Sequence, residues 1–183
     1  MIVELVVAHD LNSGIGRDGE IPWDAIKGDI QFFKRLTTDT LDPSKLNMVI
    51  MGRKTYESIP LKFRPLPGRV NVVLSSLYKE GVYTDIVVCK KIDDITTYIQ
   101  TIQPTIETVY IIGGQSVYDQ FLPYCSKLHV TVIKKTHKCD RFFYIPSAFK
   151  RLSTVDHDLY TLDTYTCTPI LGWISPPKTI LKV

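Results

Sequence analysis

The sequence predicts an α/β fold: a single domain with a mostly parallel central β-sheet, an antiparallel C-terminal edge, and helices on both faces. Three observations carry this. Short β-branched runs at residues 3–8, 48–51, 70–74, 86–88, 108–112 and 128–133 are almost continuously apolar, as strands buried on both faces are. Helical patterns fill several of the gaps between them, which calls for parallel strands joined by crossovers. After Leu128 the alternation stops, and residues 141–168 read as β-rich with no helix between, which predicts an antiparallel hairpin at one sheet edge. At 183 residues, the chain fits one domain able to bury about two-thirds of its unfolded surface and still keep a cleft.

The first run is read as a buried strand. It is too short for the apolar core of a signal peptide, and no basic leader precedes it. Gly14-Ile15-Gly16 and Asp18-Gly19 follow as a mobile loop able to cover a ligand, or as a plain surface turn. Next, Ile26, Asp29, Phe33 and Leu36 recur at the spacing that places side chains on one helical face, while Lys27, Gln31, Lys34 and Arg35 take the wetter positions. Asp29 is the anomaly of this stripe. A carboxylate aimed at a core costs several kcal/mol (roughly 2–7) unless something pairs with it, and the sequence shows no obvious partner. The plainer alternative is a helix-start aspartate favoured by the macrodipole, although Asp24, just after Pro22 and Trp23, is better placed for that.

Further along, Met48 to Met51 runs into Gly52, Arg53, Lys54 and Thr55, and Tyr110 to Ile112 runs into Gly113, Gly114, Gln115 and Ser116. Glycine at the end of a strand and before a helix lets backbone approach a ligand and offers unpaired N–H groups, so both turns are candidate diphosphate grips. Neither matches the G-x-G-x-x-G fingerprint, and such turns also serve as plain connections. Between them, the stretch from Pro60 through Gly68 reads as an ordered loop with apolar anchors. Ile92, Ile95, Ile99 and Ile102 mark one face of a helix stopped by Pro104.

Composition narrows the class. Hydrophobic residues at 44% and charged residues at 22% indicate an ordinary globular protein, with neither disorder nor a membrane span. The net charge of +3 draws on Lys134, Lys135, Lys138, Lys150 and Arg151, which read as solvated loop ends because no nucleic-acid motif accompanies them. The four cysteines and four histidines are scattered without metal-ligand spacing, so free thiols in a reducing, cytoplasmic compartment are expected and no metal is assigned.

Taken together, five blocks in order resemble dihydrofolate reductase: VVAHDLNSGIGRDGEIPW, then Asp29 with FFKRLTT, then NMVIMGRKTYESIP, FRPLPGRVNVVLS and VYIIGGQSVY. The likeness runs almost continuously from Ile2 to Phe143, while residues 166–183 form a divergent C-terminal segment. It implies reduction of 7,8-dihydrofolate to tetrahydrofolate with NADPH, in support of one-carbon metabolism and thymidylate synthesis, with antifolates as inhibitors. It implies catalytic roles for Asp29 under the pteridine, for Thr131 hydrogen-bonding that carboxylate, and for Trp23, which would fix a water. The proton at N5 would arrive through water admitted by the loop at residues 14–23.

The resemblance further implies apolar substrate walls from Val6, Val7, Phe33, Ile59 and Leu66, with Ser58 and Ile112 beside them. Arg69 would pair with the α-carboxylate of the glutamate tail. The nicotinamide of NADPH would lie against Ala8, Ile15, Gly16, Ile21 and Tyr118. Its diphosphate would meet Gly52, Lys54, Thr55 and the Gly113, Gly114, Gln115, Ser116 and Val117 turn. At the adenosine end stand Leu74, Ser75 and Ser76, where many relatives carry an arginine after Leu-Ser. Preference for NADPH over NADH must then lean on Arg53, Lys90 or Lys91. Phe63 and Tyr56 are further departures, at positions where relatives often carry a polar residue and a tryptophan. With no second domain, a monomer is expected.

Two other readings use the same features. A pyrimidine reductase of the riboflavin route shares the fold, but Asp29, Phe33 and Arg69 together favour a pteridine with a glutamate tail. A non-catalytic nucleotide-binding relative is favoured only by the divergent C-terminal segment.

Overall fold

The chain was analysed as a computed structural model, and the structure describes residues 1–169. Among the described residues there are eleven strands and four α-helices: β1 Ile2–Asp10, β2 Gly14–Gly16, α1 Lys27–Thr38, β3 Leu46–Gly52, α2 Arg53–Ser58, β4 Arg69–Leu74, β5 Gly81–Val82, β6 Val87–Cys89, α3 Ile92–Ile102, β7 Ile106–Gly113, α4 Gln115–Phe121, β8 Lys127–Ile133, β9 Arg141–Phe142, β10 Lys150–Asp156 and β11 Tyr160–Thr166. Nine strands make one sheet in the order β10-β11-β8-β1-β7-β3-β4-β6-β5. From β8 to β6 every neighbouring pair is parallel. The β10–β11 hairpin adds an antiparallel edge beyond β8, as the loss of helical pattern after Leu128 predicts. A second antiparallel edge, β5 on β6, has too short a run to be seen in the sequence.

Strand alternation divides the core into two layers. Val3, Leu5 and Val7 of β1, Met48 and Ile50 of β3, and Val109 and Ile111 of β7 pack with Ile95 and Ile99 of α3 and Val117 and Phe121 of α4. Val6, Val49, Met51 and Tyr110 face the other way, against Phe33 and Leu36 of α1 and Tyr56 of α2. Helices therefore cover both faces of the sheet. Each large apolar side chain buried completely, as Phe121 and Ile50 are, contributes about 1.5–3 kcal/mol.

α1 keeps Lys27, Gln31, Lys34 and Arg35 exposed, in agreement with its stripe. α3 ends at Ile102, and Pro104 falls in the 3-10 turn that follows, Gln103–Thr105. In the proline-rich loop only Leu66 acts as an anchor. Its N–H reaches Asn71 Oδ1 at 3.0 Å and its carbonyl accepts from Asn71 Nδ2 at 2.8 Å, whereas Leu61 and Phe63 are exposed. The Arg64–Pro65 and Gly113–Gly114 peptides are cis.

Polar groups are buried too, and one cluster of them is partnered across strands. Glu4 of β1 meets His129 Nε2 of β8 at 2.6 Å and Lys127 Nζ at 3.0 Å. Burial pushes the Glu4 carboxyl up, but these partners outweigh it and leave it below its ordinary value. Cys89, Cys125, Cys139 and Cys167 are free thiols, and burial pushes Cys125 up to about 12. Among the described residues no helix is long and apolar enough to cross a membrane. The fourteen positions from 170 onward, most of the divergent C-terminal segment, lie outside the described residues.

Candidate active site

The carboxylate that looked misplaced has its partner on the sheet. Asp29 is half-buried in the first turn of α1, and Thr131 Oγ1 of β8 donates to its Oδ1 at 2.7 Å. Burial raises the Asp29 carboxyl above its ordinary value, and the Thr131 hydrogen bond offsets that only in part. Asp24 lies before α1 begins, so the helix-start role falls to Asp29 itself. The two readings of this residue are compatible, because the first turn of α1 is also the turn laid against Thr131.

Thr131 stands opposite Ala8 in the β1–β8 register, and Ala8 lines a cleft of about 700 Å³. The cleft runs along the C-terminal ends of the parallel strands, where open α/β sheets bind ligands. Its walls are supplied by the loop after β1 (Ile15, Gly16, Ile21), by the β3–α2 turn (Gly52, Arg53, Lys54, Thr55, Ser58), by Leu74, Ser75, Ser76 and Lys90, and by the β7–α4 turn (Gly114, Gln115, Ser116, Val117) with Tyr118. Apart from Ser58, expected on the substrate side but found in this wall, these are residues at which the resemblance places a dinucleotide. Two of that set stand outside the lining. Lys91 caps α3, its N–H reaching Asp94 Oδ2 at 2.8 Å. Gly113 lies beneath the wall, at φ +108°, where an added Cβ would come within 2.8 Å of the Tyr118 hydroxyl.

A second surface adjoins the cleft on the α1 side. Val6, Phe33, Ile59, Leu66 and Ile112 share one apolar cluster, and Ile112 also lines the cleft, so the two surfaces meet there. Val7 departs from its expected place. It is 3% exposed and packs on the opposite face with Val3 and Leu5, because successive strand residues point to opposite sides. Arg69 closes the far end of this surface. Its guanidinium lies 5.9 Å from the Phe33 ring centroid and donates from Nη1 to Thr37 Oγ1 at 2.6 Å. Trp23 is half-buried with its ring 5.5 Å from that of His137.

Several residues that shape the site gave no signal in the sequence. Asp10 is fully buried, and its carboxylate accepts from the N–H groups of Asn12 and Gly14, each at 2.9 Å, and of His137 at 2.6 Å. Burial works to raise this carboxyl, but the three backbone donors hold it below its ordinary value. The loop after β1 is thereby tied to the loop after β8, and the antiparallel pairing of β2 with β9 extends the tie. Glu20, Leu77, Gln120 and Arg141 also line the cleft, as does Gly19 of the loop singled out in the sequence; Arg141 comes from β9, across that pairing. No local pattern marks it.

Comparison with known proteins gives the same assignment. A family model described as dihydrofolate reductase matches residues 2–170. A putative bifunctional dihydrofolate reductase-thymidylate synthase of Oryza sativa subsp. japonica is 46% identical over 135 residues, 70% of this chain and 27% of the relative. The dihydrofolate reductase of Drosophila melanogaster is 38% identical over 153 residues, covering 81% of this chain and 83% of the fly protein. That of Heliothis virescens is 38% identical over 146 residues, 77% of this chain and 78% of the moth protein. The chain spans about a quarter of the length of the plant bifunctional relatives it matches. With the cleft, the carboxylate and the match over residues 2–170 in agreement, this chain belongs to the dihydrofolate reductase family.

Proposed function

We propose that the chain reduces 7,8-dihydrofolate to 5,6,7,8-tetrahydrofolate, with NADPH as reductant. The observation that carries this reading is the Asp29–Thr131 hydrogen bond, 2.7 Å long and one strand from a cleft wall. A half-buried carboxylate with one donor has acceptor capacity left over, and the amino-substituted edge of a pteridine would supply further donors.

The cleft fits a dinucleotide phosphate in volume and charge. Arg53, Lys54, Lys90 and Arg141 line it against a single carboxylate, Glu20. At Gly52 an added Cβ would lie 3.2 Å from Val117 Cγ2, so the β3–α2 and β7–α4 turns lie close enough that a side chain there would press on Val117. Lys54, Thr55 and the turn at residues 114–117 would hold the diphosphate, and Ala8, Ile15, Ile21 and Tyr118 would hold the nicotinamide. NADPH, when bound, supplies the reducing equivalent.

The protein's part is placement and proton supply. Asp29 and Thr131 orient the substrate ring, Phe33, Ile59 and Leu66 wall it, and the tied loop with Trp23 controls the access of water. The wall residues Phe33, Ile59 and Leu66 carry no titratable group, so in this reading the proton passes to N5 through water while Asp29 biases the ring electrostatically. Sensitivity to antifolates and a cytoplasmic setting belong to the same reading. The thymidylate synthase named in the plant relatives supports a role for the product in one-carbon transfer.

The substrate's tail gives a direct test. Arg69→Ala is expected to raise KM for dihydrofolate by about tenfold to a hundredfold, the worth of a charge-assisted bidentate contact, and to leave KM for a dihydropterin without the tail unchanged. Equal effects on both substrates would remove Arg69 from tail recognition. Thr131→Val is a second test. Loss of the hydroxyl donor leaves the Asp29 carboxyl higher still, so the ionisation seen in the pH profile of kcat/KM moves upward in pH and turnover near neutrality falls about tenfold. An unchanged profile would show that this hydrogen bond does not tune the carboxyl.

A further inference from the structure

The adenosine end of the cleft contains an ion pair that the site as described does not use. Arg53, the first residue of α2, lines the same cleft as Ser76, Leu77 and Lys90. Its Nη1 is 2.5 Å from Oε2 of Glu57, one helical turn further along and outside the cleft lining. The other carboxylate oxygen, Oε1, accepts from the Tyr78 hydroxyl at 2.7 Å. Tyr78 is itself fixed by its N–H, which donates to Ser75 Oγ at 3.1 Å. Both oxygens of Glu57 are thus engaged, one by a cleft cation and one by the segment that follows Leu74-Ser75-Ser76. Hydrogen bonds from Tyr78 and then Arg53 hold the Glu57 carboxyl below its ordinary value, so it is charged throughout the neutral range.

We propose that Glu57 is a specificity-determining residue, which weakens selection for a dinucleotide bearing a ribose phosphate by competing with that phosphate for Arg53. The inference rests on the dinucleotide reading of the cleft. A ribose phosphomonoester carries about −1.5 to −2 charges and asks for cations with free donors. In this chain Arg53 of the cleft wall is already matched by a carboxylate, and Ser76 of the same wall brings no charge. The phosphate must then displace Glu57 from Arg53 or rely on Lys90 and Lys54. A dinucleotide without that phosphate asks nothing of Arg53, so its affinity is insensitive to the pair.

The test is calorimetric titration of the purified protein with NADPH and with NADH. Glu57→Gln keeps the side chain's size and its capacity to accept from Tyr78 while removing the charge. It is expected to tighten NADPH about fivefold, the upper end for a part-exposed ion pair, and to leave NADH within about twofold. On an Arg53→Ala background the same substitution is expected to change neither ligand. An equal shift for both ligands, no shift for NADPH, or an effect that survives loss of Arg53 would overturn the inference with the dinucleotide reading intact. A wild-type protein that binds neither ligand would overturn both.

Discussion

Replacing Asp29 with asparagine is expected to lower dihydrofolate reduction near neutral pH by about a hundredfold to a thousandfold, while NADPH affinity stays within about twofold. The separation follows from where the residue sits. Asp29 reaches the sheet through Thr131, lies one helical turn before Phe33 and stands outside the lining of the cleft whose turns are proposed to hold the dinucleotide. Asparagine keeps the shape and accepts the Thr131 hydroxyl, so the loss reports charge. Stability should move the other way. The folded-state carboxyl titrates above its unfolded value, so ionised Asp29 opposes folding. That penalty is absent below the unfolded value, grows as pH rises toward the folded value, and is full above it. Asp29→Asn should therefore raise the thermal midpoint of the ligand-free protein at neutral pH, by an increment that vanishes in acid. A variant with lost activity and a lowered midpoint would show instead that Asp29 is a structural residue.

Gly113→Ala is expected to damage fold and cleft together. At φ +108° a side chain is strained, at about 1–3 kcal/mol. The added Cβ would also lie 2.8 Å from the Tyr118 hydroxyl and 2.9 Å from its Cζ. That hydroxyl donates to the Val6 carbonyl at 2.9 Å in the interior, and breaking a buried hydrogen bond costs about 1–3 kcal/mol. A total of about 2–6 kcal/mol is expected in denaturant unfolding, with NADPH affinity reduced more than tenfold because the β7–α4 turn shifts. Wild-type stability and affinity in this variant would mean that Tyr118 yields without consequence.

How far the sequence could be read depended on how local each signal was. The strand-to-glycine turns after β3 and β7 are defined by a few adjacent residues, and Gly52 and residues 114–117 of these turns line the cleft, whereas Gly113 does not. The α1 stripe was equally legible, since Phe33 and Leu36 pack inward and the charged positions face solvent. The partner of Asp29 was not, because Thr131 is 102 residues away and only the sheet brings it near. Resemblance to a known family supplied what spacing could not. Val7 shows the opposite failure: adjacent strand residues cannot both line one wall, and the period of two turns Val7 to the far layer. The tie between Asp10 and the loop after β8, the arrival of Arg141 in the cleft and the Glu57–Tyr78 contact join distant segments without a motif at either end.

The central claim, that the carboxylate and the cleft together form a dihydrofolate-reducing site, is tested most directly by NADPH oxidation with 7,8-dihydrofolate as acceptor. The reaction is followed by loss of nicotinamide absorbance, with and without an antifolate. Substrate-dependent oxidation that the antifolate abolishes is the expected result. Saturable NADPH binding with no oxidation in the presence of dihydrofolate would contradict the account, leaving a dinucleotide cleft whose neighbouring carboxylate serves another ligand.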